Sequence, residues 1–352
     1  MKRRDFLHSC SGFLLSMLAA KQSVFGTETH EPASGEDIFK GMMIINAHAH
    51  PEEFYSDRLP KDMSASMAGM KQLRMNASVF SALGDKERGG WEETFPGVMN
   101  QLACAMCYVK TGEAKLILKS SDISNPMGPK DPVGCILGIE GANPLEGNPE
   151  YFDEVYRYGV RIITLGHYLV NGFTDIMTKP PKYGGLSSLG KQAIKKMDKL
   201  GIVIDVAHAS HDSIKDIAGI TERPLVDSHT SVCHNDKLPC SRFRTWYEME
   251  VVAKTGGVVC TWPMARRREG YQRETFLDWA KEILEMKKRL GIEHVGLGTD
   301  GGGHLPALVQ GYEDVRDLRK LVAAMTDVGL TRDDIGAYMG GSFYRIFKAY
   351  TG

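Results

Sequence analysis

Three features that would mark a specialised class of protein are missing from this sequence. Its 43 lysine and arginine residues are balanced by 44 aspartate and glutamate residues, so the formal net charge is -1 and no electrostatic argument favours nucleic acid or a polybasic membrane-binding surface. Seven cysteines among 352 residues are too few for a small disulfide-rich scaffold. No internal repeat, low-complexity tract or linker to a second domain is evident. The overall composition, 42% hydrophobic and 25% charged, is typical of a globular protein. The length of 352 residues suits one large α/β domain or two smaller ones.

The apolar stretch near the N-terminus, Ser11 to Ala20, is too short and too polar to span a bilayer. It follows Lys2-Arg3-Arg4-Asp5-Phe6-Leu7, which contains paired arginines. Together these segments resemble a twin-arginine signal, a bacterial address read by a translocase that exports folded proteins. We therefore expect a signal peptide over residues 1–26, a periplasmic or extracellular location, and the translocase as a partner during export. A retained basic N-terminal helix is the alternative.

The cysteines of the remaining chain suggest no catalytic thiol. Cys104 and Cys107 have the spacing of a redox or zinc pair, but they stand in an apolar, helix-like stretch and are predicted to be buried thiols. Cys233 and Cys240 could pair in an oxidising compartment, and the sequence leaves this open.

After a polar linker over residues 27–40, one domain over residues 41–352 alternates short apolar runs with helical patterns. Eight runs are predicted to be strands: Met42–His50, Ala77–Leu83, Val133–Gly138, Arg161–Leu165, Ile202–Val206, Pro224–Val226, Gly257–Thr261 and His294–Leu297. Helical segments between most of them predict parallel pairing with helical crossovers. Eight such units close as a (β/α)₈ barrel of the TIM type, with an open doubly wound sheet as the alternative. A barrel gathers the C-terminal ends of all its strands, and hence the chemistry, at one mouth.

Metal-binding residue types follow these predicted strands. His48 and His50 are two apart on an extended segment, so their side chains point the same way and can share one cation. Seven ionisable residues lie at the ends of these strands or just past them: His48, His50, Glu140, His167, His208, His229 and Asp300. Burying so many ionisable groups together at one barrel mouth would cost folding free energy unless a cation bound them.

Imidazoles with a carboxylate suit zinc, and two neighbouring cations need a shared anionic ligand. Glu140 is the natural bridge, because its two oxygens can reach two metals. We assign the first ion to His48 and His50 and the second to His208 and His229. A water or hydroxide between the two zinc ions would complete both sites and act as the nucleophile.

The motifs around these residues identify a family by resemblance. They are Asn46-Ala-His48-Ala-His50-Pro51, Gly138-Ile-Glu140-Gly141, Thr164-Leu-Gly-His167, Gly184-Gly185-Leu186-Ser187, Ile204-Asp-Val-Ala-His208-Ala-Ser210, Ser228-His229-Thr230 and Gly298-Thr-Asp300. Their order and spacing, from about Met42 to the C-terminus, resemble the membrane dipeptidase family (renal-dipeptidase-like, peptidase family M19). This family has an amidohydrolase-type barrel with a binuclear zinc site that hydrolyses dipeptides.

The resemblance implies a role for each matched residue. The metal ligands would be His48, His50, Glu140, His208 and His229. His167 would contact the substrate carbonyl oxygen, Asp300 would be the acid/base, and Arg242 (with Arg244 as the near alternative) would bind the substrate carboxylate. One departure is that the family usually has His-x-Asp where this chain has His48-Ala-His50, which removes one negative charge and should make the metal centre more electrophilic.

The sequence therefore predicts a zinc-dependent dipeptidase in residues 41–352, acting through a metal-bridging hydroxide on a small peptide or amide. An exported metallohydrolase that tailors a specific metabolite, lactam or lactone is one alternative. A metal-binding family member without turnover is another. No nucleic acid is expected as a partner, and the chain could form a homodimer.

Overall fold

The fold is known from a computed structural model that describes residues 38–51, 65–85, 93–125, 127–128, 130–234, 242–268 and 271–352. The predicted signal peptide and most of the predicted linker lie outside this range. Among the described residues, no helix combines the length and apolar character needed to cross a membrane.

Parallel strands form the centre of the described structure. The strands are β1 Ile45–Asn46, β2 Ala77–Leu83, β3 Ala114–Leu116, β4 Val133–Glu140, β5 Val160–Thr164, β6 Val203–Asp205, β7 Val226–Thr230, β8 Val258–Thr261, β9 Arg266–Arg268, β10 Tyr271–Arg273 and β11 Val295–Leu297. Eight of them follow one another in the order β1-β2-β4-β5-β6-β7-β8-β11, and every neighbouring pair is parallel.

Hydrogen bonds close this ring between its first and last strands. The amide of Ala47 donates to the carbonyl of Leu297 at 2.9 Å, and the amide of Asp300 donates to the carbonyl of His48 at 3.0 Å. The predicted (β/α)₈ barrel is thus confirmed, and the alternative of an open sheet is wrong.

Helices cover the outside of the barrel. They are α1 Ala65–Leu73, α2 Phe95–Lys110, α3 Glu150–Tyr158, α4 Ser188–Leu200, α5 His211–Ala218, α6 Trp246–Lys254, α7 Phe276–Leu290, α8 Leu318–Asp327, α9 Arg332–Gly336 and α10 Ser342–Thr351. Several start at a serine or threonine whose side chain accepts a hydrogen bond from a backbone amide of the first turn, which satisfies a donor that has no partner within the helix. Ser187 does this for α4 and Thr245 for α6.

The last helix determines which end of the barrel is available for a site. Phe343 and Phe347 of α10 belong to the same buried cluster as inward-facing strand residues such as Val79 and Val258. A Cβ atom on Gly340, just before α10, would lie 2.6 Å from the carbonyl oxygen of Met43, so glycine is needed where the chain passes β1. Because α10 packs at the end where the strands begin, the opposite end remains as the mouth.

Some elements differ from the sequence-based prediction. The helix α2 is followed by the short strand β3, which pairs with β4 outside the ring and is not among the eight predicted strands. The strand expected at Pro224–Val226 is β7, so His229 lies inside a strand. Strands of only a few residues are too short for a periodic spacing of apolar side chains to reveal them. The antiparallel β9–β10 hairpin, with three residues in each strand, was missed for the same reason.

The cysteines also correct one expectation. Cys107 is exposed, whereas Cys104 is half-buried and packs against the hydrophobic core, so the prediction that both thiols are buried is wrong. Cys135 and Cys260 are buried free thiols in strands. Cys233 is disulfide-bonded, and Cys240, its suggested partner, lies outside the described residues.

Candidate metal centre

The five predicted metal ligands converge at the mouth of the barrel. His48 and His50 follow β1, Glu140 ends β4, His208 follows β6, and His229 lies near the end of β7. All five side chains are buried. They come from β1, β4, β6 and β7, of which only β6 and β7 are neighbours in the ring, and the closed barrel brings them into contact.

The first pair of imidazoles faces one oxygen of the central carboxylate. The Nε2 atoms of His48 and His50 lie 3.4 and 3.1 Å from Glu140 Oε2. These two nitrogen atoms are 3.1 Å apart.

The second pair faces the other oxygen in the same way. The Nε2 atoms of His208 and His229 lie 3.0 and 3.3 Å from Glu140 Oε1, and they are 3.1 Å apart. Two ligands of a tetrahedral zinc ion with bonds of about 2.05 Å are separated by about 3.3 Å. All six distances are close to this value, so each half of the cluster has the spacing of a zinc site.

The hydrogen bonds of the outer ring nitrogens determine which nitrogen faces the centre. His50 Nδ1 lies 2.8 Å from the carbonyl oxygen of Ser81, which can only accept, so Nδ1 carries the hydrogen. The hydroxyl of Ser228 donates to Asp205 at 2.6 Å and accepts from His229 Nδ1 at 2.9 Å. In their neutral forms both rings therefore direct the lone pair of Nε2 toward Glu140.

A lone pair directed at a carboxylate oxygen is repulsive unless a cation lies between them. Glu140 Oε1 is itself buried and forms no well-aligned hydrogen bond, despite the two imidazole nitrogens near it. The donor set therefore fits two divalent cations bridged by Glu140. Charge-neutral imidazoles and one carboxylate are the ligands that zinc prefers.

The pKa values of the metal-free protein follow from the same contacts. Burial lowers the pKa values of His208 and His229 well below the usual range, and Arg242 adds to the effect, so both are neutral as metal ligation requires. Burial also lowers the pKa of His48, but Glu140 and Asp300 outweigh it and raise the value to about 9. Burial acts to raise the pKa of Glu140, yet His167 and His48 hold it well below its usual value.

Asp300 and His167 lie beside the cluster, as the sequence predicted. Asp300 Oδ1 is 3.5 Å from His50 Nε2, and His167 Nε2 is 3.7 Å from Glu140 Oε2. Asp300 has a left-handed backbone with φ of 49°, and a Cβ atom on Gly303 would lie 2.1 Å from its Oδ1. Strained backbone of this kind persists where the surroundings enforce it, and here it directs the carboxylate into the mouth.

The two candidate arginines have different environments. Arg244 is fully buried: its Nε donates to Asp227 at 2.6 Å, and its other nitrogens donate to the carbonyls of Val206 and Ala209. With only 1% of its surface exposed, it is enclosed by these partners and acts within the fold. Arg242 is half-buried, with its guanidinium 4.8 Å from the centre of the Trp262 ring, and its buried Nε has no hydrogen-bond partner. Arg242 therefore remains the predicted carboxylate ligand.

Asp85 is a site residue that the sequence-based analysis missed. It is buried two residues after β2, and its Oδ1 accepts a hydrogen bond from His167 Nδ1 at 2.8 Å. Its Oδ2 accepts from the amides of Tyr168 and Leu169 at 2.8 and 3.0 Å. Its position at the C-terminal end of a strand was a usable signal, the same one that identified Asp300.

The comparison with known families agrees with this geometry. The sequence profile of the membrane dipeptidases, peptidase family M19, matches residues 44–351. The chain belongs to the membrane dipeptidase family. The resemblance based on the strand-end motifs is thereby confirmed over nearly the whole domain.

Curated relatives within this family are dipeptidases from fungi. The chain is 28% identical to dipeptidase tcpJ of Claviceps purpurea over 218 residues, which are 60% of the chain and 50% of the relative. It is 27% identical to dipeptidase aclJ of Aspergillus oryzae over 221 residues, with 61% and 51% covered. The chain thus spans about half the length of the curated relatives it matches.

Solved structures share the fold of this membrane dipeptidase family member. A metallo peptidase from Rhodobacter sphaeroides, liganded with a phosphinate mimic of L-Ala-D-Ala, has a TM-score of 0.75 at 17% identity, with 88% of this chain and 99% of that chain covered. The probable dipeptidase PvdM from Pseudomonas aeruginosa has a TM-score of 0.76 at 17% identity, with 89% and 96% covered.

Metal binding to this membrane dipeptidase family member should depend on pH. Since His48 has a raised pKa of about 9 in the metal-free protein, it is protonated at neutral pH and must lose that proton to bind a cation. We expect apparent zinc affinity to rise by up to about tenfold per pH unit and to level off near pH 9. Calorimetry in buffers of different ionisation enthalpy measures the proton released. An affinity unchanged between pH 7 and 9 would contradict the prediction.

Replacing Asp85 with asparagine should lower kcat by about 10- to 100-fold, the usual cost of losing a group that orients a site imidazole. Asparagine has one acceptor oxygen and cannot serve both His167 and the two amides. Steady-state kinetics with zinc-loaded protein measures the loss. In a His167→Ala background the same change should add little, because the two residues act as a unit. Independent, additive losses would show that Asp85 acts elsewhere.

Proposed function

We propose that this protein is a zinc-dependent dipeptidase that hydrolyses the amide bond of dipeptides at a binuclear centre. The observation that carries the proposal is Glu140, whose two buried oxygens each face a separate pair of imidazoles at 3.0 to 3.4 Å. Two zinc ions held there would polarise a carbonyl group and lower the pKa of water to near neutrality. The remaining steps belong to the side chains around the cluster.

Asp300 is placed to move the proton. Its carboxylate lies beside His50 at the edge of the cluster, where it can accept a proton from the attacking water and pass it to the nitrogen of the leaving amine. Its burial and its left-handed backbone keep the carboxylate in one orientation. A fixed acid/base of this type contributes about 10²- to 10⁴-fold to the rate.

His167 is placed to stabilise the oxygen of the scissile carbonyl. Because its Nδ1 hydrogen is donated to Asp85, the ring can donate from Nε2 only as an imidazolium. Burial lowers the pKa of His167, but Glu140 and Asp85 outweigh this effect and raise it, which supports the charged form. A charged donor next to a developing oxyanion is worth more than a neutral one.

Arg242 supplies the specificity for short peptides. Its guanidinium lies over Trp262, faces the cluster closely enough to shift the pKa values of His208 and His229, and keeps one buried donor without a partner. A C-terminal carboxylate is the anion that would satisfy it by a bidentate contact. Such an anchor restricts hydrolysis to substrates whose carboxylate is one residue from the scissile bond.

The test removes metal with a chelator, restores zinc, and measures hydrolysis of a dipeptide panel together with the C-terminally amidated forms. We expect no turnover without zinc, restored turnover at two ions per chain, and at least tenfold slower hydrolysis of the amides through a higher KM. Arg242→Met should remove the difference between acids and amides, whereas Arg267→Met, an exposed arginine paired with Glu274, should preserve it. If the protein binds two ions but hydrolyses no dipeptide, the proposal is refuted. That result would favour hydrolysis of another type of bond, as in a lactam or lactone, or a metal-binding role without turnover.

A further inference from the structure

The cavity directly at the cluster is small. The cavity lined by His50, Glu140, His167, His208 and Asp300 measures about 20 Å³. A single water needs roughly 10 to 15 Å³ on the same kind of measure. This cavity can therefore hold the reacting water but not the side chains of a dipeptide.

A much larger cavity opens next to it. It measures about 290 Å³ and lies between the segments that follow β1, β8 and β11 and the helix α1. Asp300 and His304 line both cavities, so a substrate at the cluster has this space directly beyond Asp300. The volume is at the lower end of the range typical of small-molecule pockets, roughly 300 to 1,000 Å³.

The lining of the larger cavity favours an apolar occupant. Most of its walls are apolar side chains: Met70, Pro263, Leu305, Leu308 and Val315 are among them. Its acidic residues are Asp300, Glu313 and Asp314, its one imidazole is His304, and among its described lining residues there is no lysine or arginine. Asp314 is paired with Arg316, which leaves Glu313, exposed at the rim, as the carboxylate that an incoming charge would meet.

The position of Arg242 indicates which end of the substrate reaches this cavity. Arg242 follows β7 and lies over Trp262, so a C-terminal carboxylate bound there keeps the C-terminal residue on that side of the cluster. On this basis we assign the other residue to the side of Asp300, where the two cavities meet.

We propose that the 290 Å³ cavity receives the side chain of the substrate's N-terminal residue and selects bulky apolar side chains over small and acidic ones. The inference rests on the proposed dipeptidase function and specifies its substrate class. Burying a leucine or phenylalanine side chain should increase kcat/KM about 10- to 100-fold over glycine at the same position. Glutamate should be disfavoured against its neutral counterpart glutamine by about tenfold, because the lining contains three carboxylates and no lysine or arginine.

The experiment varies one residue of the substrate and one wall of the cavity. Leu-Ala, Phe-Ala, Gly-Ala, Gln-Ala and Glu-Ala are compared on the zinc-loaded protein, with Ala-Leu and Ala-Phe as the reversed pair. Leu308→Trp should fill the cavity and reduce the Leu/Gly preference in kcat/KM at least about fivefold. The matched control is Leu118→Trp, a leucine of the same exposure (40% against 39%) beside Gly159 at the opposite end of the barrel. Glu313→Gln should raise the rate for Glu-Ala selectively.

Three results would overturn the inference: equal rates for Leu-Ala and Gly-Ala, size dependence only at the C-terminal residue, or the same response to Leu308→Trp and Leu118→Trp. A binding measurement tests the cavity assignment independently of the proposed dipeptidase function. If no dipeptide is hydrolysed, binding of phosphinate dipeptide mimics is measured by calorimetry. Tighter binding of the leucine mimic than of the glycine mimic, lost in Leu308→Trp, supports the cavity assignment. Equal or absent binding refutes it.

Discussion

Replacing Glu140 with glutamine should reduce kcat/KM for dipeptides by at least about 1,000-fold and lower the zinc content from two ions per chain to one or fewer. Each half of the cluster offers a metal ion two imidazole nitrogens, neutral when they bind it, and one oxygen of this carboxylate. Glutamine keeps the shape but removes the negative charge and turns one oxygen into an NH₂ group, which repels a cation. A loss of about 4 kcal/mol of transition-state stabilisation, within the several kcal/mol supplied by a metal centre, corresponds to this factor.

Elemental analysis and steady-state kinetics on the same preparation measure the two effects together. The control is Glu250→Gln, the same change at a glutamate of the outer helix α6, where the carboxylate pairs with Arg289 away from the cluster. That variant should retain both ions and nearly all of its activity. If Glu140→Gln kept two ions and full activity, the binuclear assignment would be wrong.

Replacing Asp300 with asparagine should lower kcat by about 10²- to 10⁴-fold while the zinc content stays at two ions per chain. The nearest Asp300 oxygen is 3.5 Å from His50 and does not bridge the two pairs, so its loss should affect proton transfer more than metal binding. Burial raises the pKa of Asp300 above its usual value, against the opposing effect of His50 and His48. As the pH falls through this pKa, the carboxylate is protonated and can no longer act as a base, so the rate of the wild-type protein should fall. The asparagine variant has no such group, and its rate should not show this fall at acidic pH.

A pH–rate profile of both proteins at saturating zinc provides the measurement. Asp153→Asn is the control, because this carboxylate pairs with Lys196 on the outer helices and should change activity little. Undiminished turnover in Asp300→Asn would assign the acid/base role to another group. Loss of one zinc ion in this variant would instead make Asp300 a ligand.

The barrel and most of the cluster could be predicted because two simple patterns coincide. Short apolar runs separated by helical segments predict parallel strands, and a parallel barrel places all strand ends together. His48, Glu140 and Asp300 each end a predicted strand, so residue type and position pointed to the same place. Asp85 satisfied the same rule after β2 and was missed, because a single carboxylate next to glycine has no distinctive local pattern.

The sequence by itself determined the order of strands and helices, the residue types at the strand ends and the family of the chain. It could do so because apolar spacing and ligand chemistry are local properties. Only the tertiary structure decided that Arg244 is enclosed while Arg242 faces the cluster, that each oxygen of Glu140 serves a separate imidazole pair, and that a large apolar cavity adjoins Asp300. These features depend on distances between segments far apart in the chain, which the closing of the barrel sets and no local pattern encodes.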